Sequence, residues 1–96
     1  MSVVIHTKSN CSYCVKAKEF LNNVHVPYTE VFYDPLLESY EMKKNELVQT
    51  TNHHTFPQIF VGSYFIGGYS ELVNAHSTLK LHELCKEIGI DIEYDF

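Results

Sequence analysis

Two cysteines separated by two residues, Cys11-Ser12-Tyr13-Cys14, form the most reactive group in the chain. A C-x-x-C admits two readings, half of a structural zinc site or a redox-active dithiol. Zinc needs two further ligands at usable spacing, and there is no second C-x-x-C. The remaining candidates are scattered: Cys85 with His82, or Cys85 with the His53-His54 pair. The residues therefore favour the dithiol. Lys8 precedes the pair and Lys16 and Lys18 follow it, against Glu19 alone, so the surroundings are locally positive.

The elements around the pair account for its reactivity. Val3 to Thr7 is apolar and rich in β-branched residues, which reads as a buried strand. Lys8-Ser9-Asn10 is a polar break. From Ser12 the pattern turns helical, with Ala17, Phe20, Leu21 and Val24 on one face, until Pro27. The C-x-x-C thus opens a helix. Unpaired N–H groups and the positive end of the helix dipole stabilise a sulfur there as thiolate, and the lysines add to the effect. Cys11 comes first, at the exposed lip, and reads as the attacking sulfur. Cys14 lies deeper on the same side and reads as the resolving one.

Tyr28 to Tyr33 reads as a second strand. Asp34-Pro35 resembles an N-cap with proline in the first helical position, opening a helix to about Thr50. Leu36, Leu37, Tyr40, Leu47 and Val48 are its expected inner face. After a loop from Thr51 to Thr55 come a strand from Pro57 to Val61, a Gly62-Ser63 turn and a strand from Tyr64 to Ile66. Gly67-Gly68 ends that strand. Ser70 is the expected cap of a helix to about His76, and Leu79 to Ile88 forms another, ending at Gly89. The order β-α-β-α-β-β-α-α makes the first two strands parallel and the last two an antiparallel hairpin. The expected fold is α/β, a mixed four-stranded sheet flanked by helices.

Ninety-six residues, 45% hydrophobic and 20% charged, suit one domain over residues 1–96. No apolar run reaches the ~20 residues of a membrane span, and the start lacks a secretory signal. A cytoplasmic domain is expected. Seven lysines, no arginine and twelve acids give a net charge of −5, which argues against nucleic acid as a partner. Five of the acids fall from Glu83 onward. Cys85, set among Leu81, Leu84 and Ile88, reads as a buried small hydrophobe. His53 and His54 read as solvated loop residues, with positive charge beside an anionic ligand as the alternative.

Three separated elements, in this order and topology, carry a family resemblance: Cys11-Ser12-Tyr13-Cys14, Thr55-Phe56-Pro57 and Gly67-Gly68-Tyr69-Ser70-Glu71. From about Val3 to Ile88 the chain resembles the dithiol glutaredoxins of the thioredoxin fold. The resemblance implies a glutathione-dependent thiol–disulfide oxidoreductase, acting as a monomer on protein–glutathione mixed disulfides and on protein disulfides. Ribonucleotide reductase is a candidate recipient of its electrons. It also implies a cis bond before Pro57, which would let the Phe56 backbone pair with extended glutathione as a strand edge does. Lys8 would hold the glycine carboxylate and Tyr13 would line the groove with Thr55. Gly68 and the Tyr69 and Ser70 N–H groups would hold the γ-glutamyl carboxylate, and Glu71 the amino group.

Three positions depart from the commonest family pattern. Ser12 stands for proline, Phe56 for valine and Glu71 for aspartate. Some relatives with C-S-Y-C hold a [2Fe–2S] cluster between two chains, ligated by the first cysteine and glutathione. A cluster-binding module with Cys11 as a ligand is therefore the alternative function. A thioredoxin-like reductase fed by a flavoprotein is a third reading, disfavoured by Lys8 and the Gly67-to-Ser70 turn.

Overall fold

Strand β1 (Val3–Lys8) carries Val3, Ile5 and Thr7 on one face, and all three are buried. Helix α1 (Ser12–Asn23) lays Ala17 and Leu21 against the same core. The chain returns as β2 (Tyr28–Tyr33), which pairs parallel to β1 from Val3↔Tyr28 to Lys8↔Tyr33. Strand β3 (Gln58–Val61) pairs antiparallel to β1, and β4 (Tyr64–Gly67) antiparallel to β3. The sheet order is β2-β1-β3-β4. Helices α2 (Tyr40–Thr51), α3 (Tyr69–Ser77) and α4 (Lys80–Glu87) complete the expected order. The computed structural model describes residues 1–92; the last acids of the C-terminal tail, at 93–96, lie outside the described residues.

The core is in two parts. The larger gathers Val3, Ile5, Leu21, Ile59, Leu72, Leu81 and Cys85 between the sheet and helices α1, α3 and α4. The smaller joins Cys14, Leu47 and Phe56, with Cys11, Tyr33 and Phe60 packed against them. Through this second cluster, α2 supports the cysteine pair from below.

Several boundaries differ from expectation: β1 runs on through Lys8, β4 through Gly67, and α4 begins at Lys80. The helix expected at Asp34-Pro35 begins at Tyr40. Asp34 Oδ1 does accept the Leu36 N–H at 2.9 Å, but that bond closes a turn. The next bonds, Leu37 N–H to Asp34 O and Tyr40 N–H to Leu37 O, span three residues and start no α-helical ladder. Leu36 and Leu37, expected inside, are 91% and 56% exposed.

Helix α3 is capped at Gly68 rather than Ser70. The Glu71 carboxylate reaches back one turn to accept the Gly68 N–H at 2.7 Å, while Ser70 Oγ donates to the other carboxylate oxygen at 2.6 Å. This is the carboxylate half of a capping box. Pro57, which has no N–H to give a ladder, stays just outside β3.

Candidate active site

Cys11 is the N-cap of α1, with extended backbone at φ −121° and ψ 98°, and its Sγ accepts the Cys14 N–H at 3.2 Å. Sulfur fills the position that a serine or aspartate oxygen usually takes. Cys11 is half-buried, whereas Cys14 is buried, and the two are joined as a disulfide with Cα atoms 5.3 Å apart. Cys85 is a free thiol deep in the main core, where burial raises its pKa to about 11. It is shielded and un-ionised at neutral pH, and so unreactive.

The Phe56–Pro57 peptide bond is cis, and the Phe56 carbonyl oxygen lies 3.6 Å from Cys11 Sγ. Beside it runs a groove of about 280 Å³ lined by Tyr13, His53, Thr55, Phe56, Pro57 and the first residues of α3, Gly68 to Glu71. Tyr13 and Tyr69 face each other with ring centroids 6.0 Å apart. Eight of the residues singled out from the sequence therefore share this one groove. A larger cavity of about 590 Å³ lies between β2 and α2, but no cysteine lines it.

The lysines divide. Lys8 Nζ sits 5.6 Å from the Phe56 ring centroid, and Lys16 Nζ 5.1 Å from that of Tyr13. Both lie over aromatic residues that line the groove. Lys18, expected to assist Cys11, is instead paired with Glu30 of β2 at 3.1 Å. That carboxylate also accepts the buried Thr7 hydroxyl at 2.6 Å, which is the main reason its pKa is lowered.

Two members of the site were not among the site residues expected from the sequence. His53, read first as a solvated loop residue and alternatively as positive charge beside an anionic ligand, forms a groove wall, with its ring edge-on to Phe65 and its Nε2 3.0 Å from Thr55 Oγ1. Gln58 is fully buried in β3, and its amide holds the groove loop from beneath. It accepts from Thr51 Oγ1 at 2.8 Å and donates to the carbonyls of His53 at 2.6 Å and Thr55 at 3.3 Å. A lone polar residue beginning an apolar strand was the available signal, because a buried amide must find partners.

The glutaredoxin family model matches residues 3–66, two-thirds of the chain. The chain belongs to the glutaredoxin family. It is 39% identical over 79 residues to the human protein named glutaredoxin-2, mitochondrial, covering 82% of this chain and 48% of that one. To glutaredoxin-C2 of Arabidopsis thaliana it is 33% identical over 88 residues, covering 92% and 78%. The chain thus spans about half the length of the human relative.

Among solved structures, oxidised glutaredoxin 2 from Chlamydomonas reinhardtii superposes with a TM-score of 0.79 at 30% identity, over 92% of this chain and 82% of that one. A buckwheat glutaredoxin–glutathione complex gives 0.84 at 24% identity, over 94% and 81%, and shares the fold. In this glutaredoxin family member the linked C-x-x-C stands at the mouth of α1.

Proposed function

We propose that the protein is a glutathione-dependent oxidoreductase that reduces protein–glutathione mixed disulfides through Cys11. The observation that carries this reading is the position of Cys11 Sγ. It caps α1, receives the Cys14 N–H and adjoins the groove at Phe56. The amide and the helix dipole favour its thiolate. That thiolate attacks the glutathione sulfur of the mixed disulfide. The protein thiolate leaves and takes a proton from water, and glutathione stays on Cys11. A glutathione thiolate then displaces Cys11 and departs as glutathione disulfide. Alternatively, Cys14 attacks Cys11 Sγ, releasing glutathione and leaving the intramolecular disulfide present in this structure.

The groove suits a small peptide with charged ends. Tyr69 and Ser70 stand in the first turn of α3, where backbone N–H groups favour a carboxylate. Glu71 supplies a counter-charge for an ammonium, and Lys8 over Phe56 supplies one for a second carboxylate. Glutathione carries all three groups. Similarity to a chain solved as a glutaredoxin–glutathione complex supports this choice. The test is to incubate the Cys14→Ser variant with glutathione disulfide and map adducts by mass spectrometry. One glutathione per chain, on Cys11, is expected; no adduct, or one only on Cys85, defeats the reading.

A second reading, a [2Fe–2S] cluster shared by two chains, rests on Ser12 in place of the stiffer proline. Cys11 fits as the chain's single ligand, since Cys14 and Cys85 are both buried. Glutathione would supply the other ligands. Anaerobic preparation with glutathione and a visible spectrum separates the readings, and a colourless monomer excludes the cluster.

A further inference from the structure

His53 is held too firmly for a solvated loop residue. Its N–H donates to Thr51 Oγ1 at 3.2 Å, and its carbonyl accepts from the buried Gln58 amide. Its ring edge meets Phe65, with centroids 5.6 Å apart. Its Nε2 reaches Thr55 Oγ1, and a Cβ built on Gly68 would stand 3.6 Å from that nitrogen. The imidazole thus forms one wall of the groove, beside the start of α3. It interacts electrostatically with Glu71, the acidic side chain in the lining.

The charge balance of the groove turns on this ring. Hydrogen bonds from Ser70 and then Gly68 lower the Glu71 pKa, so its carboxylate stays charged across the physiological range. With imidazole neutral, a carboxylate approaching the first turn of α3 meets that negative charge offset only by hydrogen-bond donors and by the ligand's own ammonium. With imidazole protonated, the two charges offset and the ligand carboxylate gains a donor. Tyr13 on α1 and Tyr69 on α3 contribute only hydroxyls, His54 is exposed beside the loop, and Lys8 stands over Phe56.

We infer that His53 is a specificity-determining residue: protonated, it draws the carboxylate of a zwitterionic head group into the groove, so affinity for glutathione rises as pH falls. This rests on the proposed use of glutathione. Histidine is suited to the task because its charge changes between about pH 5 and 8.

The test measures KM for a glutathionylated peptide from pH 5.5 to 8.0 in wild type, His53→Gln and His53→Lys. Adduct formation at Cys11 is followed in parallel, and thermal melting checks folding. All three proteins share Cys11, so its own titration cancels in their ratios. His53→Gln should raise KM roughly fivefold at pH 5.5 and hardly at all at pH 8, as expected for one partly solvated charge. His53→Lys should hold KM low and flat. A substrate whose γ-glutamyl residue is replaced by 4-aminobutyryl, deleting the carboxylate, should be indifferent to all three side chains.

A flat wild-type to His53→Gln ratio overturns the inference while leaving the oxidoreductase reading intact. So does the same pH-dependent ratio with the truncated substrate. Absence of any wild-type adduct at Cys11 removes both.

Discussion

The side-chain amide of Gln58, wholly buried at the head of β3, donates to the carbonyl oxygen of His53 across 2.6 Å. The loop that walls the groove is therefore fastened to the central sheet by a side chain. Leucine matches glutamine in size but leaves Thr51 Oγ1 and the His53 and Thr55 carbonyls without that partner. Gln58→Leu should cost about 2–4 kcal/mol in urea unfolding, because buried polar groups left unpaired each carry a penalty of that order. It should also raise KM for a glutathione-linked substrate. An unchanged midpoint would show that the network contributes nothing.

The unequal burial of the two sulfurs predicts unequal roles. Cys11→Ser should lower deglutathionylation by on the order of a hundredfold or more, because it removes the nucleophile. Cys14→Ser should retain most of that activity, since external glutathione can resolve the adduct. Reduction of a protein's intramolecular disulfide should need both cysteines. Steady-state rates on the two substrate types check this, and a Cys11→Ser enzyme with full activity would contradict the assignment.

Gly67 has φ +127°, and a Cβ there would lie 2.7 Å from Glu71 Oε1 and 2.8 Å from its Cγ. Gly67→Ala therefore combines backbone strain with displacement of the carboxylate that caps α3. A loss of about 1–3 kcal/mol is expected, with weaker binding in the groove. Thermal melting and KM should worsen together; a change in neither would mean that the turn relaxes freely.

Stability should fall on acidification. Burial lowers the pKa of His6, whose Nδ1 meets Tyr33 OH at 2.9 Å, and burial followed by the charge of His82 lowers that of His76. The folded chain keeps these rings neutral, so the unfolded chain takes up protons first. Their contribution is complete above about pH 6.5 and declines below it. Glu30 and Glu71, both lowered from 4.5, act in the same sense at lower pH: their contribution is present above 4.5 and lost as their carboxylates protonate. Melting temperature should drop from pH 7.5 to pH 5, and His6→Gln should remove part of that slope. A rise on acidification would refute the assignment.

Element order and the placement of the C-x-x-C were legible because hydrophobic period and helix-start chemistry act locally. The Asp34 error shows the limit of local signals. A carboxylate accepting an N–H two residues ahead serves an isolated turn as well as a helix cap, and only the following bonds distinguish them. At Ser70 two polar side chains competed for one cap, and the longer Glu71 reached Gly68. Lys18 near Cys11 in sequence proved to be Glu30's partner in space. His53 and Gln58 were hidden for a related reason: what defines them is contact between α2, β3 and α3, which no spacing along the chain records.

Because the reactive atom at position 11 also terminates the first helix, chemistry and local order at that residue are linked. Serine is the substitute with the right reach to close the same bond with Cys14's amide. Covalent capture of clients needs Cys11 and belongs to Cys14→Ser, whereas the inactivating exchange is expected to keep the cap. A silent Cys11→Ser protein can thus be tested for non-covalent ligand binding without being discounted as misfolded. An alkylating agent does the opposite, blocking the sulfur and loosening the first turn at once, so amide exchange at Cys14 doubles as a gauge of inhibitor occupancy.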